Sequence, residues 1–150
     1  MQRLALTLAM CVLVGACHSS TSPTQPTQPD PGAPVTRIIE LEGDLNFGEV
    51  PLNSSPIKTI RIVNRGTSAM RVTGFTTPRG SGVCQEPGDP DFCPIIASWT
   101  EGEIGGSQWR DVTVRLDLRM IENWSGTFTV NSNASGPNTL PLTARGVPPR

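Results

Sequence analysis

Acid–base and nucleophilic chemistry needs a base placed beside a nucleophile, and this chain holds one histidine, four cysteines and no tyrosine with which to build such a pair. The histidine is His18, which lies in a run of Ser, Thr and Pro rather than in a patterned element. Ser-His-Asp and Cys-His arrangements therefore have no anchor in the patterned part of the chain. No Cys-x-x-Cys, no His-x-x-x-His and no phosphate-cradling glycine loop followed by Lys-Ser/Thr occurs. Carboxylate pairs remain at Glu40/Glu42 and Glu101/Glu103, but they read more simply as the solvent side of β structure or as loop positions. The inventory argues against an enzyme and gives no catalytic residue and no cofactor. A formal charge of −1, with the basic residues scattered, gives no footprint for nucleic acid, and a small-molecule substrate is not expected.

The cysteines carry more information. Met1–Arg3 is a short basic start and Leu4–Val14 an apolar run, too short to span a bilayer, which needs about 20 residues. It ends in Leu13-Val14-Gly15-Ala16-Cys17, which resembles the lipobox of bacterial lipoproteins. That resemblance implies cleavage after Ala16, a diacylglycerol thioether on Cys17 and an acyl group such as palmitate on its new amine. The chain would then be held to a membrane of the bacterial cell envelope, on the periplasmic face of the outer membrane or at the cell surface. Several acyl chains together make such anchoring stable where one is marginal. An ordinary secretory signal with a chance cysteine is the plainer alternative.

With Cys11 removed and Cys17 lipidated, Cys84 and Cys93 remain, eight residues apart in a Pro-, Gly- and Asp-rich stretch. An even pair in an exported chain reads as a disulfide closing a small loop, worth about 2–3 kcal/mol when unstrained. No histidine lies nearby to complete a metal site. Glu86, Asp89 and Asp91 in the same loop could offer oxygen ligands to Ca²⁺, but their spacing fits no established calcium loop, and a solvated acidic tip is the simpler reading. No metal is expected.

Trp99 and Trp109 lie in or beside this stretch and are candidate contact residues for protein or glycan; covering the open end of a small core is the competing reading. Trp124 reads as core. The three Asn-x-Ser sites at Asn53, Asn123 and Asn133 have no meaning in a bacterial lipoprotein.

These side chains have to be carried by something. Residues 17–36 hold almost no apolar residue and a proline every few positions, as an extended, disordered tether does. The Pro-x-x-Pro spacing fits a spacer better than a groove ligand. From Arg37 to Val147 the pattern becomes short strands. Candidates are Arg37–Glu42, Leu45–Val50, Lys58–Asn64, Met70–Phe75, Val112–Arg119, Gly126–Asn131 and Thr139–Ala144. The strictest alternation runs Val112-Thr113-Val114-Arg115-Leu116-Asp117-Leu118, as a strand with one buried face requires. About seven short strands joined by Gly, Pro and Asn turns predict an all-β, immunoglobulin-like antiparallel β-sandwich. Thr77–Ser107 reads as a long polar excursion carrying the cysteine pair. The expected organisation is a signal peptide at 1–16, a lipid-anchored linker at 17–36 and a sandwich at 37–147.

Four motifs in order resemble ASH/Hydin-type immunoglobulin-like domains. They are Leu45-Asn46-Phe47-Gly48-Glu49-Val50, the alternating Ile60–Gly66 ending in Asn64-Arg65-Gly66, Trp124-Ser125-Gly126-Thr127-Phe128-Thr129-Val130, and a close on Leu142-Thr143-Ala144-Arg145-Gly146. The resemblance spans roughly Glu40–Val147. It departs at Leu116-Asp117-Leu118, where the family has Phe-x-Pro, and in the size of the Cys84–Cys93 stretch. It implies a non-catalytic module for attachment and protein contacts. The expectation is a membrane-anchored envelope lipoprotein acting as a protein-interaction or structural module. Its contact with another envelope or surface protein would run through the Cys84–Cys93 loop or an exposed sheet edge. The alternative is a glycan- or cell-wall-binding module using Trp99 and Trp109.

Overall fold

The alternating segments fold as β-strands because each offers one apolar row to a shared interior and one polar row to water. A computed structural model of the chain describes residues 32, 34–78, 84–85 (backbone alone) and 94–149. Cys17, its signal sequence and most of the tether lie outside the described residues. So do Cys93, Glu86, Asp89 and Asp91, and with them the expected disulfide.

The strands are β1 (Ile39–Gly43), β2 (Leu45–Pro51), β3 (Ile57–Asn64), β4 (Met70–Thr76), β5 (Cys84–Gln85), β6 (Ile95–Ala97), β7 (Gly102–Ile104), β8 (Trp109–Leu116), β9 (Asn123–Ser132) and β10 (Thr139–Val147). They form two five-stranded sheets, in the orders β1-β3-β8-β6-β5 and β2-β10-β9-β4-β7. The all-β immunoglobulin-like sandwich predicted from the alternation is present. Two details differ. Ten segments replace about seven, because the excursion at Thr77–Ser107 contributes β5, β6 and β7 to the sheets. The pairing is antiparallel except for β10 on β2 and β5 on β6, which run parallel.

β1 and β2 are one crossing segment. Only Asp44 separates them, yet β1 pairs with β3 in the first sheet and β2 with β10 in the second. Gly43 makes the switch, with φ +126°, and a Cβ there would sit 3.0 Å from the carbonyl oxygen of Thr59. The core lies between the sheets. Ile39, Ile60, Ile62, Val112, Val114 and Leu116 meet Leu45, Val72, Phe128, Val130 and Leu142 there, all 1% exposed or less. Phe75 packs on Phe128 with ring centroids 5.2 Å apart. Trp124 is buried, in line with its reading as core, and its indole N–H donates to Glu122 Oε1 at 2.7 Å.

One end of the sandwich is fixed by Asn64, whose residue is fully buried. Its amide nitrogen donates to the carbonyls of Ser68 (2.8 Å), Ile104 (3.0 Å) and Gly105 (3.0 Å), and its Oδ1 accepts the Gly66 N–H at 3.0 Å. One side chain thus satisfies backbone groups from the β3–β4 and β7–β8 connections, which would be costly to bury unpaired. Gly66 is needed because a Cβ would come within 2.2 Å of the Thr36 carbonyl oxygen. Thr36 and Thr67 exchange hydrogen bonds, and Thr67 Oγ1 donates to the Pro34 carbonyl at 2.8 Å. The packed domain therefore reaches back to Pro34, into the last residues of the stretch read as linker.

Candidate binding face

Trp109 opens β8, three residues before the alternation the sequence displays, and strand geometry decides where it points. Val112, Val114 and Leu116 face the core, so Trp109, Asp111 and Thr113 stand on the outer face of the first sheet. Register then sets their neighbours. One row across the sheet is Glu40, Val63 and Trp109; the next is Glu42, Arg61 and Asp111.

These rows bond to each other. Arg61 donates through Nε and Nη2 to the two carboxylate oxygens of Asp111, at 2.8 and 3.2 Å, a fork-to-fork pair. The same guanidinium lies 4.1 Å from the centroid of the Trp109 ring. Arg65 bridges Glu40 (2.7 Å) and Glu42 (3.0 Å) on the edge strand. The hydrogen bond from Arg61 holds the Asp111 carboxyl below the usual carboxylate range, and the bond to Asp111 raises Arg61. Each ion pair is exposed and worth little to stability. Their effect here is orientation. Asp111 fixes the Arg61 guanidinium that lies over Trp109, while the residue stays 55% exposed. Val63, between Glu40 and Trp109 in the row, is buried although it belongs to the outer set. Ile38, just before β1, is 40% exposed and forms an isolated parallel bridge to Ser135.

The two tryptophans singled out from the sequence do not form one surface. Trp99 is half-buried against the core, edge-on to Phe75 with centroids 6.4 Å apart. Gly102 leaves room for it, since a Cβ there would lie 3.0 Å from Trp99 Cζ2. The Arg110 guanidinium lies 4.8 Å from its ring centroid. Trp99 therefore covers the core margin, the competing reading of that residue, and Trp109 stands on the outer face. Arg61, Asp111 and Arg65 are not candidate site residues in the sequence, and Glu42 enters only in a carboxylate pair read as solvent-facing. Each looks like an ordinary polar position in its own strand, and only cross-strand register brings them together.

The edges that could accept an added strand are blunted among the described residues. On β1 the Ile39 N–H donates to the Ser135 carbonyl, and Glu40 and Glu42 add charge. β2 carries a bulge at Phe47, where the register against β10 shifts, and Gly48 there has φ +64°. Asp44 and Asn46 side chains take the N–H groups of Asn46 and Gly48. β7 is three residues long. These features favour contact through a face over strand addition. No group of three or more metal-ligating side chains occurs among the described residues.

No protein-family model matches the sequence, and no curated protein matches it. Solved structures do. An ASH/PapD-like domain of human CEP192 (PapD-like domain 7) superposes with a TM-score of 0.54 over 89% of this chain and 99% of that one, at 13% identity. The chain has an ASH/PapD-like immunoglobulin fold. At that identity the likeness is one of fold, and it agrees with the motifs around Phe47, Asn64, Trp124 and Gly146. Lower similarities include a protein of unknown function from Porphyromonas gingivalis W83 (TM-score 0.48, 17% identity, 74% of this chain and 47% of that one). The E. coli chaperone DraB is another (TM-score 0.44, 13% identity, 76% and 57%).

Proposed function

We propose that this protein is a non-enzymatic interaction module, tethered to a membrane of the bacterial cell envelope through lipid on Cys17 and contacting another envelope or surface protein. The contact runs through the outer face of the β1-β3-β8 sheet. The observation that carries this reading is Trp109, more than half exposed and braced by an arginine that is itself forked onto Asp111. Tryptophan and arginine are the residues in which binding energy concentrates at protein interfaces. A side chain already held in one orientation loses less entropy on binding. The ion pairs around it match the polar rim of such interfaces. The lipobox-like Leu13–Cys17 and the proline-rich stretch after it support the anchor and the spacer.

Replacing Trp109 by Ala in the membrane-anchored protein should abolish co-purification of the partner. The folded domain should persist, because an exposed residue on a sheet face contributes on the order of 1 kcal/mol or less to stability. Unchanged recovery of the same partner with Trp109→Ala refutes the assignment of the face. The glycan reading through Trp99 and Trp109 has less support. Trp99 is packed on the core, and an arginine already lies over each ring.

A further inference from the structure

The opposite face of the molecule carries a depression that the Trp109 face does not explain. It lies on the outer side of the second sheet, across β2, β10 and β9, with a cavity volume of about 390 Å³. Register explains its shape. Asn46, Thr143 and Ser125 form one row across the three strands, and Glu49, Arg145 and Asn123 form the next row of outward side chains. Between them runs the row Gly48, Ala144 and Trp124. Ala144 and Trp124 turn their side chains into the core, and Gly48 has none, with open space where a Cβ would stand. The result is a transverse trough, floored by this middle row and walled by two polar rows about 7 Å apart.

We infer that this trough binds a neutral, hydroxyl-rich saccharide. Its walls offer amide, hydroxyl, guanidinium and carboxylate groups, above a floor that Trp124 and Ala144 make largely apolar. Planar amide, guanidinium and carboxylate groups each engage two adjacent hydroxyls at once. Asn46 is oriented for this. Its Oδ1 accepts the Gly48 N–H (3.1 Å) and the Thr143 hydroxyl (2.9 Å), which leaves its amide hydrogens for a ligand. The one cation and one anion of the walls, Arg145 and Glu49, stand 3.5 Å apart and cancel, so the trough selects for an uncharged ligand. Its volume falls within the usual range for small-ligand sites. A peptide fits less well. Extended peptides bond along a sheet edge or seat apolar anchors in pockets, whereas this trough crosses β9 and β10, whose backbones are paired on both sides, to the edge strand β2, where side chains take the Asn46 and Gly48 N–H groups.

The test is titration of the full-length protein with a panel of neutral tetrasaccharides built from glucose, mannose or N-acetylglucosamine, followed by calorimetry. A serine/threonine-rich peptide and an acidic oligogalacturonide serve as contrasts. Saturable binding of at least one neutral tetrasaccharide is expected, insensitive to added salt, and weakened tenfold or more by Asn123→Ala and by Arg145→Ala. Both residues are exposed, so these variants keep the fold. Trp109→Ala should leave this binding unchanged, which separates failure of the trough from failure of the Trp109 face. No saturable binding by any neutral tetrasaccharide overturns the inference. So does preference for the peptide or the acidic sugar, full retention in either variant, or loss with Trp109→Ala.

Discussion

At the scale of single residues, Asn64 shows how a polar side chain can be worth more to a fold than an apolar one. It closes a motif visible in the sequence, but its reason is visible only in space, where its amide collects backbone groups from two connections. Asn64→Ala should lower the unfolding free energy by about 2–4 kcal/mol in denaturant titration, because it strands several buried backbone groups. An effect below about 0.5 kcal/mol would show that water or local relaxation replaces those bonds. Trp109 shows the converse. Its exposure depends on which side of β8 it takes, and β8 begins at Trp109 rather than at Val112, where the visible alternation starts. The sequence could place Trp109 near the excursion but could not tell it from Trp99, since tryptophan is at home both on a core margin and on an open face.

At the scale of elements, the strands and their inward rows were largely legible, since period-two alternation is a local property. The pairing of β2 with β10, the Phe47 bulge and the recruitment of β6 and β7 from the excursion were not. Each is set by contacts between segments distant in sequence. The same applies to Arg61, Asp111, Glu42 and Arg65. Two of the ion pairs have a consequence that pH titration can read. Asp44 is held below its ordinary value first by its hydrogen bond from Lys58 and next by the Asn46 N–H; Asp111 is held low first by Arg61. A carboxylate whose folded pKa is depressed contributes stability above its unfolded value, near 3.8, and loses it as the pH falls through the folded value. Thermal stability should therefore fall below about pH 4, and Asp111→Asn should flatten part of that fall by lowering the neutral-pH value by the same small amount. A fall of the same size in wild type and Asp111→Asn contradicts this attribution.

At the scale of the whole molecule, the reading joins a sandwich to a membrane by a proline-rich spacer, and the two halves of that statement are separable. Cys17→Ser should release the protein into the soluble envelope fraction with its thermal melt intact; continued sedimentation with membranes would remove the anchor from the account. The division of labour between the two sheets is the central claim. It is tested most directly by placing a photo-crosslinking amino acid in the membrane-anchored protein at Thr113, four residues along β8 from Trp109 on the outer face of the first sheet, and separately at Thr127 on the second. The account predicts one discrete protein adduct from Thr113, absent from Thr127 and lost when Trp109 is replaced by Ala. Equal protein adducts from both faces, or an adduct at Thr113 that survives Trp109→Ala, would contradict it.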